Sequence, residues 1–404
     1  MNLEFEFIQV AMGLRERLSA VPSVHEWQAL FEFCKRQSLL GVGFAAVEKL
    51  HKAGVDCPSA IRLKWYGYAL QIERMNEKLN MQCGEITKRY EHDGLQCCIL
   101  KGQGNLLNYP ESLRMRRTPG DIDLWCITPP SGLSMPNASL RDYTNYHGIN
   151  AVMEYVRIQY RLQGIDANPK ARYHHIEAPS MDGTEVEVHY RPAFLRSPLR
   201  NWRMQRWFEE HTDVCMKNKT HMGFAVPTAS VNVIYQMCHL FSHYFDEGLG
   251  LRQLMDYYFA LKVWHNDVME CKDLQAQGMW NEGLGMPVMS KEEVMAVIRS
   301  FGMGKFAAAV MFVLHEVFAM PTHYYICEPN EKEGKKLLAE IMKGGNFGQY
   351  DTRDAELKKG GMMKHGIWKL KRVMRLVRSY PEEALWEPVF RAYHLIWRTL
   401  LLHC

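Results

Sequence analysis

Residues Thr118-Pro119-Gly120-Asp121-Ile122-Asp123-Leu124 carry the clearest chemistry in the chain. A Pro-Gly turn feeds a strand, and side chains in a strand alternate faces, so Asp121 and Asp123 share one face while Ile122 and Leu124 turn toward a core. Two adjacent anions are costly without a cation between them. Oxygen ligands of this kind suit Mg2+, which takes one or two carboxylates and completes its shell with water and phosphate oxygens. Upstream, Ile99-Leu100-Lys101-Gly102-Gln103-Gly104 reads as a strand passing through a glycine turn into a helix. The free N–H groups at such a helix start, with the Lys101 ammonium beside them, suit phosphate; an exposed lysine next to a turn glycine has the same composition. Downstream, Thr184 to Tyr190 places Glu185, Glu187 and His189 on one strand face. Glu187 offers a third carboxylate, and His189 can orient it or move a proton near neutral pH.

Taken in order, Leu100-Lys101-Gly102, Tyr109-Pro110, Arg117 with Asp121-Ile122-Asp123-Leu124, and Glu187-Val188-His189-Tyr190 resemble an uncharacterised bacterial nucleotidyltransferase family of the DNA polymerase beta-like superfamily. The resemblance implies an α+β fold: a nucleotidyltransferase domain of mixed sheet and helices, flanked by N-terminal helices and a large C-terminal helical domain. It implies Mg2+-dependent transfer of a nucleoside monophosphate from an NTP to an acceptor hydroxyl, with release of pyrophosphate. Asp121, Asp123 and Glu187 are then the catalytic and metal-holding acids, with two ions in an active site. Lys101, Gly102, Gln103 and His189 are expected on the nucleotide side. Arg117 is expected to orient triphosphate oxygens or to pair with Asp121, although a charged loop has the same composition.

Many superfamily members carry Gly-Ser or Gly-Gly in the first turn, where this chain has Lys101-Gly102-Gln103. The alternative reading is therefore a catalytically silent nucleotide-binding or partner-binding protein, antitoxin-like or regulatory, on the same fold. In the helical part, His239 with His243 and Arg252 with Asp256 lie one helical turn apart, a pattern that also resembles the family. Arg252 and Asp256 are expected to close a nucleotide or acceptor pocket. The two histidines, lacking an evident third ligand, are expected to pack and hydrogen-bond.

The elements that must position these residues follow from periodicity. Helical spacing dominates up to about Asn80; short apolar runs mark strands at 94–100 and 121–127; a helix is expected at 105–113 and another at 151–163. Residues 174–177 and 184–190 flank a turn cluster at 179–183 that contains Asp182-Gly183, a hairpin signal. As neighbours in a strand, His174 and His175 are expected on opposite faces. Residues 129–137 read as a Pro-, Gly- and Ser-rich loop. Beyond Pro227 the pattern is helical. The segments drawn from this are 1–82, N-terminal helices; 83–215, nucleotidyltransferase-like; and 216–404, C-terminal helices.

Composition narrows the class. With 404 residues, 47% hydrophobic content and ten Trp, the chain can build a large core and does not fit a disordered profile. A net charge of +4 sets up no field that dictates a nucleic-acid partner. Eleven scattered cysteines without a Cys-x-x-Cys pair fit reduced thiols, and no segment reads as a signal peptide or transmembrane span. A cytoplasmic protein is expected. The partners expected are an NTP and an acceptor, whether a small molecule, a protein or RNA. The basic stretch 364–378 sets Ile367, Leu370, Met374 and Val377 against Lys369, Lys371, Arg372, Arg375 and Arg378, a composition that suits nucleic acid but also an ordinary surface helix with its apolar side on the core.

Overall fold

The computed structural model describes residues 2–128, 148–167, 169–277, 288–353, 355–358 and 361–401; the loop expected at 129–137 lies outside them. Two compact units are present, each assembled from separate stretches of chain. One comprises Met1–Asn76, Leu106–Thr118 and Gln236–Ala384; the other comprises Glu77–Asn105, Pro119–Tyr235 and Leu385–Cys404. No helix among the described residues is long and apolar enough to cross a membrane.

The first unit is helical. Its N-terminal helices, Leu3–Met12, Val24–Arg36 and Leu40–Lys52, close around Phe7, Trp27, Phe31 and Trp65. Phe31 meets Trp65 edge-on at 5.3 Å, and the Trp65 indole donates to the Leu40 carbonyl at 2.8 Å, so its one polar atom is satisfied in the core. A capping box at Ser23 and Glu26 fixes the start of its helix. The basic helix is Met362–Leu376. Its buried side consists of Trp368, Arg372, Val373 and Leu376, while Ile367, Leu370 and Met374 are exposed. The expected orientation is thus overturned. Arg372 donates through Nη2 to the Tyr244 carbonyl and through Nε to the Phe245 carbonyl, taking up acceptors at the end of helix Ala229–Asp246, and this holds the polar residue inside.

The second unit carries the sheet. β1 (Gln96–Ile99) and β2 (Ile122–Ile127) pair antiparallel, β2 and β4 (Thr184–His189) pair parallel, and β3 (His175–Met181) pairs antiparallel with β4, giving the order β1-β2-β4-β3. This is the mixed sheet of an α+β domain. The register sets Asp123 opposite Glu187 and Trp125 opposite His189. Helix Gly148–Leu162 lies in the crossover and buries Val152, Tyr155 and Val156.

Two local expectations are corrected. Pro179 to Met181 belong to β3 rather than to the turn; β3 is an edge strand with a register shift between Ala178 and Met181, the setting in which a strand tolerates proline. The turn is reduced to Asp182 and Gly183, both at positive φ (49° and 80°), as a two-residue hairpin loop requires. The helix expected at 105–113 is two single turns, Gln103–Leu106 and Glu111–Arg114, because Pro110 cannot continue the first and instead starts the second.

Candidate functional site

Strand pairing brings the acids together. Asp123 lies inside β2, almost fully buried, and Glu187 faces it from β4 with its side chain 26% exposed. Lys101 leaves the end of the first strand segment through Gly102, whose φ of +57° turns the chain, and its Nζ reaches Asp123 Oδ1 at 2.9 Å. His189, two residues beyond Glu187 on the same face, places Nε2 at 2.9 Å from Asp123 Oδ1 and 3.4 Å from Glu187 Oε2. Asp123 Oδ2 has no hydrogen-bond partner among the described residues.

Electrostatics follow from this packing. Burial opposes charge on Asp123, yet the Lys101 ammonium and the His189 hydrogen bond more than offset it and hold the carboxyl below its ordinary range. Glu187 is likewise penalised by burial and brought down to about 2 by the His189 hydrogen bond and the neighbouring cations. Burial disfavours the His189 imidazolium, but its bonds to Asp123 and Glu187 prevail and raise it to about 8. Burial lowers His175 to about 3 and pushes His174 well below its ordinary value, so both rings are neutral at neutral pH.

Asp121 sits just ahead of β2 and half-buried. Its charge is felt at Lys101, but it is not one of the close donor set, which consists of Asp123, Glu187 and His189 among the described residues. Gln103 is buried and its amide donates to Asn80 Oδ1 at 2.6 Å. The helix after Gly102 is a single turn, so phosphate affinity there would rest on Lys101 and local N–H groups rather than on a long helix dipole.

Arg117, Arg252 and Asp256 form a different cluster, within the helical unit. Arg117 grips Asp256 with two bonds, Nε to Oδ1 at 2.7 Å and Nη2 to Oδ2 at 2.8 Å, and the Tyr109 hydroxyl donates to the same Oδ1 at 2.7 Å. Arg252 donates to the Thr118 carbonyl at 3.0 Å. The carboxylate that Arg117 grips is that of Asp256; a planar guanidinium matches a buried carboxylate in this bidentate way. His239 and His243 meet edge-on at 4.2 Å and belong to no group of three close donors among the described residues.

Sequence reasoning expected His174 and His175 on opposite faces of a strand. The alternation rule does not separate them, because β3 begins at His175 and His174 lies in the bend before it. His174 Nε2 is 3.0 Å from His175 Nδ1, which in turn is 3.3 Å from Glu187 Oε2. The consecutive pair itself was the signal available.

A cavity of about 650 Å3 opens in the same unit. Trp125 and Ile127, which follow Asp123 on the same face of β2, are two of its walls, and Tyr173, Trp202, Phe208 and Phe390 are others. Arg196 at its edge is buried and paired with Glu387.

A mixed sheet bearing paired acids, a lysine at the first turn and a large helical complement define an α+β protein of nucleotidyltransferase type. The match of residues 23–278 to the model of a family described as uncharacterised nucleotidyltransferase agrees with this, and the chain belongs to that family. No curated protein and no solved structure matches it significantly.

Proposed function

We propose that the chain moves a nucleoside monophosphate from an NTP to an acceptor hydroxyl, in the manner of the DNA polymerase beta-like superfamily. The observation that carries this is the pairing of Asp123 with Glu187 across parallel strands, with Lys101 2.9 Å from Asp123. The donor set fits a divalent ion such as Mg2+: the two carboxylates converge, and the buried Asp123 Oδ2 lacks a partner among the described residues. When bound, such an ion supplies charge neutralisation for the triphosphate and acidifies an attacking hydroxyl.

The residues of the chain do the rest. Lys101 holds Asp123 and offers its remaining N–H donors to phosphate oxygens. His189 lies between the two acids and orients them. Asp121 adds negative charge at the rim. The acceptor oxygen attacks the α-phosphorus, the bond to the pyrophosphate oxygen breaks, and the proton of the acceptor is released to solvent. The aromatic cavity beginning at Trp125 takes the body of the acceptor, and its walls favour a small molecule or protein side chain with an apolar part.

The test is pyrophosphate release from each NTP with Mg2+, supplied with a panel of small-molecule and protein acceptors, alongside calorimetry. Release that Asp123→Asn abolishes supports the enzyme. Nucleotide binding without release across the acceptors supports the alternative reading, a silent nucleotide-binding protein, which the buried engagement of Gln103 with Asn80 favours because the turn then presents no hydroxyl.

A further inference from the structure

We propose that His174, His175 and His189 form a binding site for a transition-metal dication of the Zn2+ class, with Glu187 beside them. This goes beyond nucleotidyl transfer and does not require it. The donor atoms run in a chain: His174 Nε2 to His175 Nδ1, 3.0 Å; His175 Nδ1 to Glu187 Oε2, 3.3 Å; Glu187 Oε2 to His189 Nε2, 3.4 Å. Metal bonds of about 2.0–2.1 Å put neighbouring ligand atoms about 3.0–3.4 Å apart in a tetrahedral or octahedral shell. The His174–His175 spacing falls in that range, and Glu187 stands one such step from both His175 and His189. Each histidine also offers a ring nitrogen within 4.8 Å of the other two.

Hydrogen bonding accounts for only one nitrogen of each ring. The three rings crowd together at centroid distances of 4.4, 5.1 and 5.3 Å, yet His174 Nδ1, His175 Nε2 and His189 Nδ1 are buried without a partner among the described residues. Satisfied core histidines find such partners. Donor chemistry selects the ion: three imidazoles suit Zn2+, Co2+, Ni2+ or Fe2+, whereas Mg2+ takes oxygen ligands. The position of His174, just before β3, is what turns two consecutive histidines toward one point. Glu187 and His189 also belong to the set containing Asp123, so the transition ion and a hard cation at the carboxylates are coupled through shared residues.

The test uses the full-length protein stripped with a chelator and titrated with Co2+, read by its visible absorption, and with Zn2+, read by calorimetry. The expected result is one equivalent of tightly bound Co2+ with an imidazole-ligated spectrum, displaced by Zn2+ and not by millimolar Mg2+. His174→Gln and His175→Gln, each confirmed as folded by circular dichroism, are expected to weaken binding by about 100-fold or more, since they remove ligands rather than their supports. His239→Gln, in the other histidine pair, is expected to leave stoichiometry unchanged. Absence of stoichiometric Co2+ binding by the wild-type chain overturns the proposal, as does unchanged binding in His175→Gln or loss in His239→Gln. Pyrophosphate release in Mg2+ is measured separately, so failure of this site and failure of the transfer reading are told apart.

Discussion

Asp256→Asn separates a structural role from a nucleotide-binding role for the Arg117 cluster. Both members of the ion pair are buried, at 4% and 6% side-chain exposure, and two short hydrogen bonds join them. The substitution preserves volume but removes the anion that takes both the Nε and Nη2 bonds of the buried Arg117 guanidinium. Breaking a buried pair from one side costs about 3–5 kcal/mol. With a urea slope of about 2–3 kcal/mol per molar, the unfolding midpoint of the helical unit falls by about 1–2 M. Equilibrium urea denaturation followed by circular dichroism measures it. The double variant Arg117→Met/Asp256→Leu is expected to recover most of the loss, because both charges are then gone and the space is filled. A midpoint shift below about 0.3 M in Asp256→Asn, corresponding to less than about 1 kcal/mol, would refute the argument. Unchanged stability with lost NTP affinity would return Arg117 and Asp256 to the nucleotide site expected from the sequence.

Two further outcomes are expected. Lys101→Met removes the cation that leads in holding the Asp123 carboxyl down, so the titration of Asp123 by NMR shifts upward and pyrophosphate release falls by about 100-fold or more; an unshifted Asp123 would contradict the 2.9 Å pair. Arg353 bonds Glu340 and Asp351 in the helical unit; its hydrogen bond lowers Glu340, and at Asp351 it outweighs the opposing effect of burial. Carboxyls with depressed folded values stabilise the fold above their unfolded values, about 4.3 and 3.9, and lose that contribution as pH falls through the lower folded values. Arg353→Met is therefore expected to flatten the stability profile below about pH 5, and a profile that keeps the wild-type slope would exclude this linkage.

The local elements were legible where one rule dominates. Alternation around Asp123, the Asp182-Gly183 loop and the helical spacing beyond Pro227 each describe what is observed. Misreadings arose where tertiary context sets the outcome. Pro179 sits in a strand because β3 is an edge, which no local pattern announces. The basic helix hides Arg372 because carbonyls distant in sequence need donors there. The pairing of Arg117 with Asp256 depends on which carboxylate packing brings within reach, and spacing along the chain does not encode it. The close approach of His174 to His175 was hidden because strand alternation starts one residue later than the sequence pattern suggests.

The parallel pairing of β2 with β4 makes the cluster intolerant of frame changes. A deletion of one residue within β4 ahead of Glu187 would bring Val188 opposite Asp123, exchanging an acid for an apolar side chain and turning Glu187 and His189 to the opposite face. Neither strand can create the juxtaposition alone, since the two acids come from stretches far apart in the chain and no hairpin links them. The cluster therefore comes into being only on closure of the sheet, which makes any ligand that reports on Asp123 and Glu187 together a probe of whether the whole unit has folded.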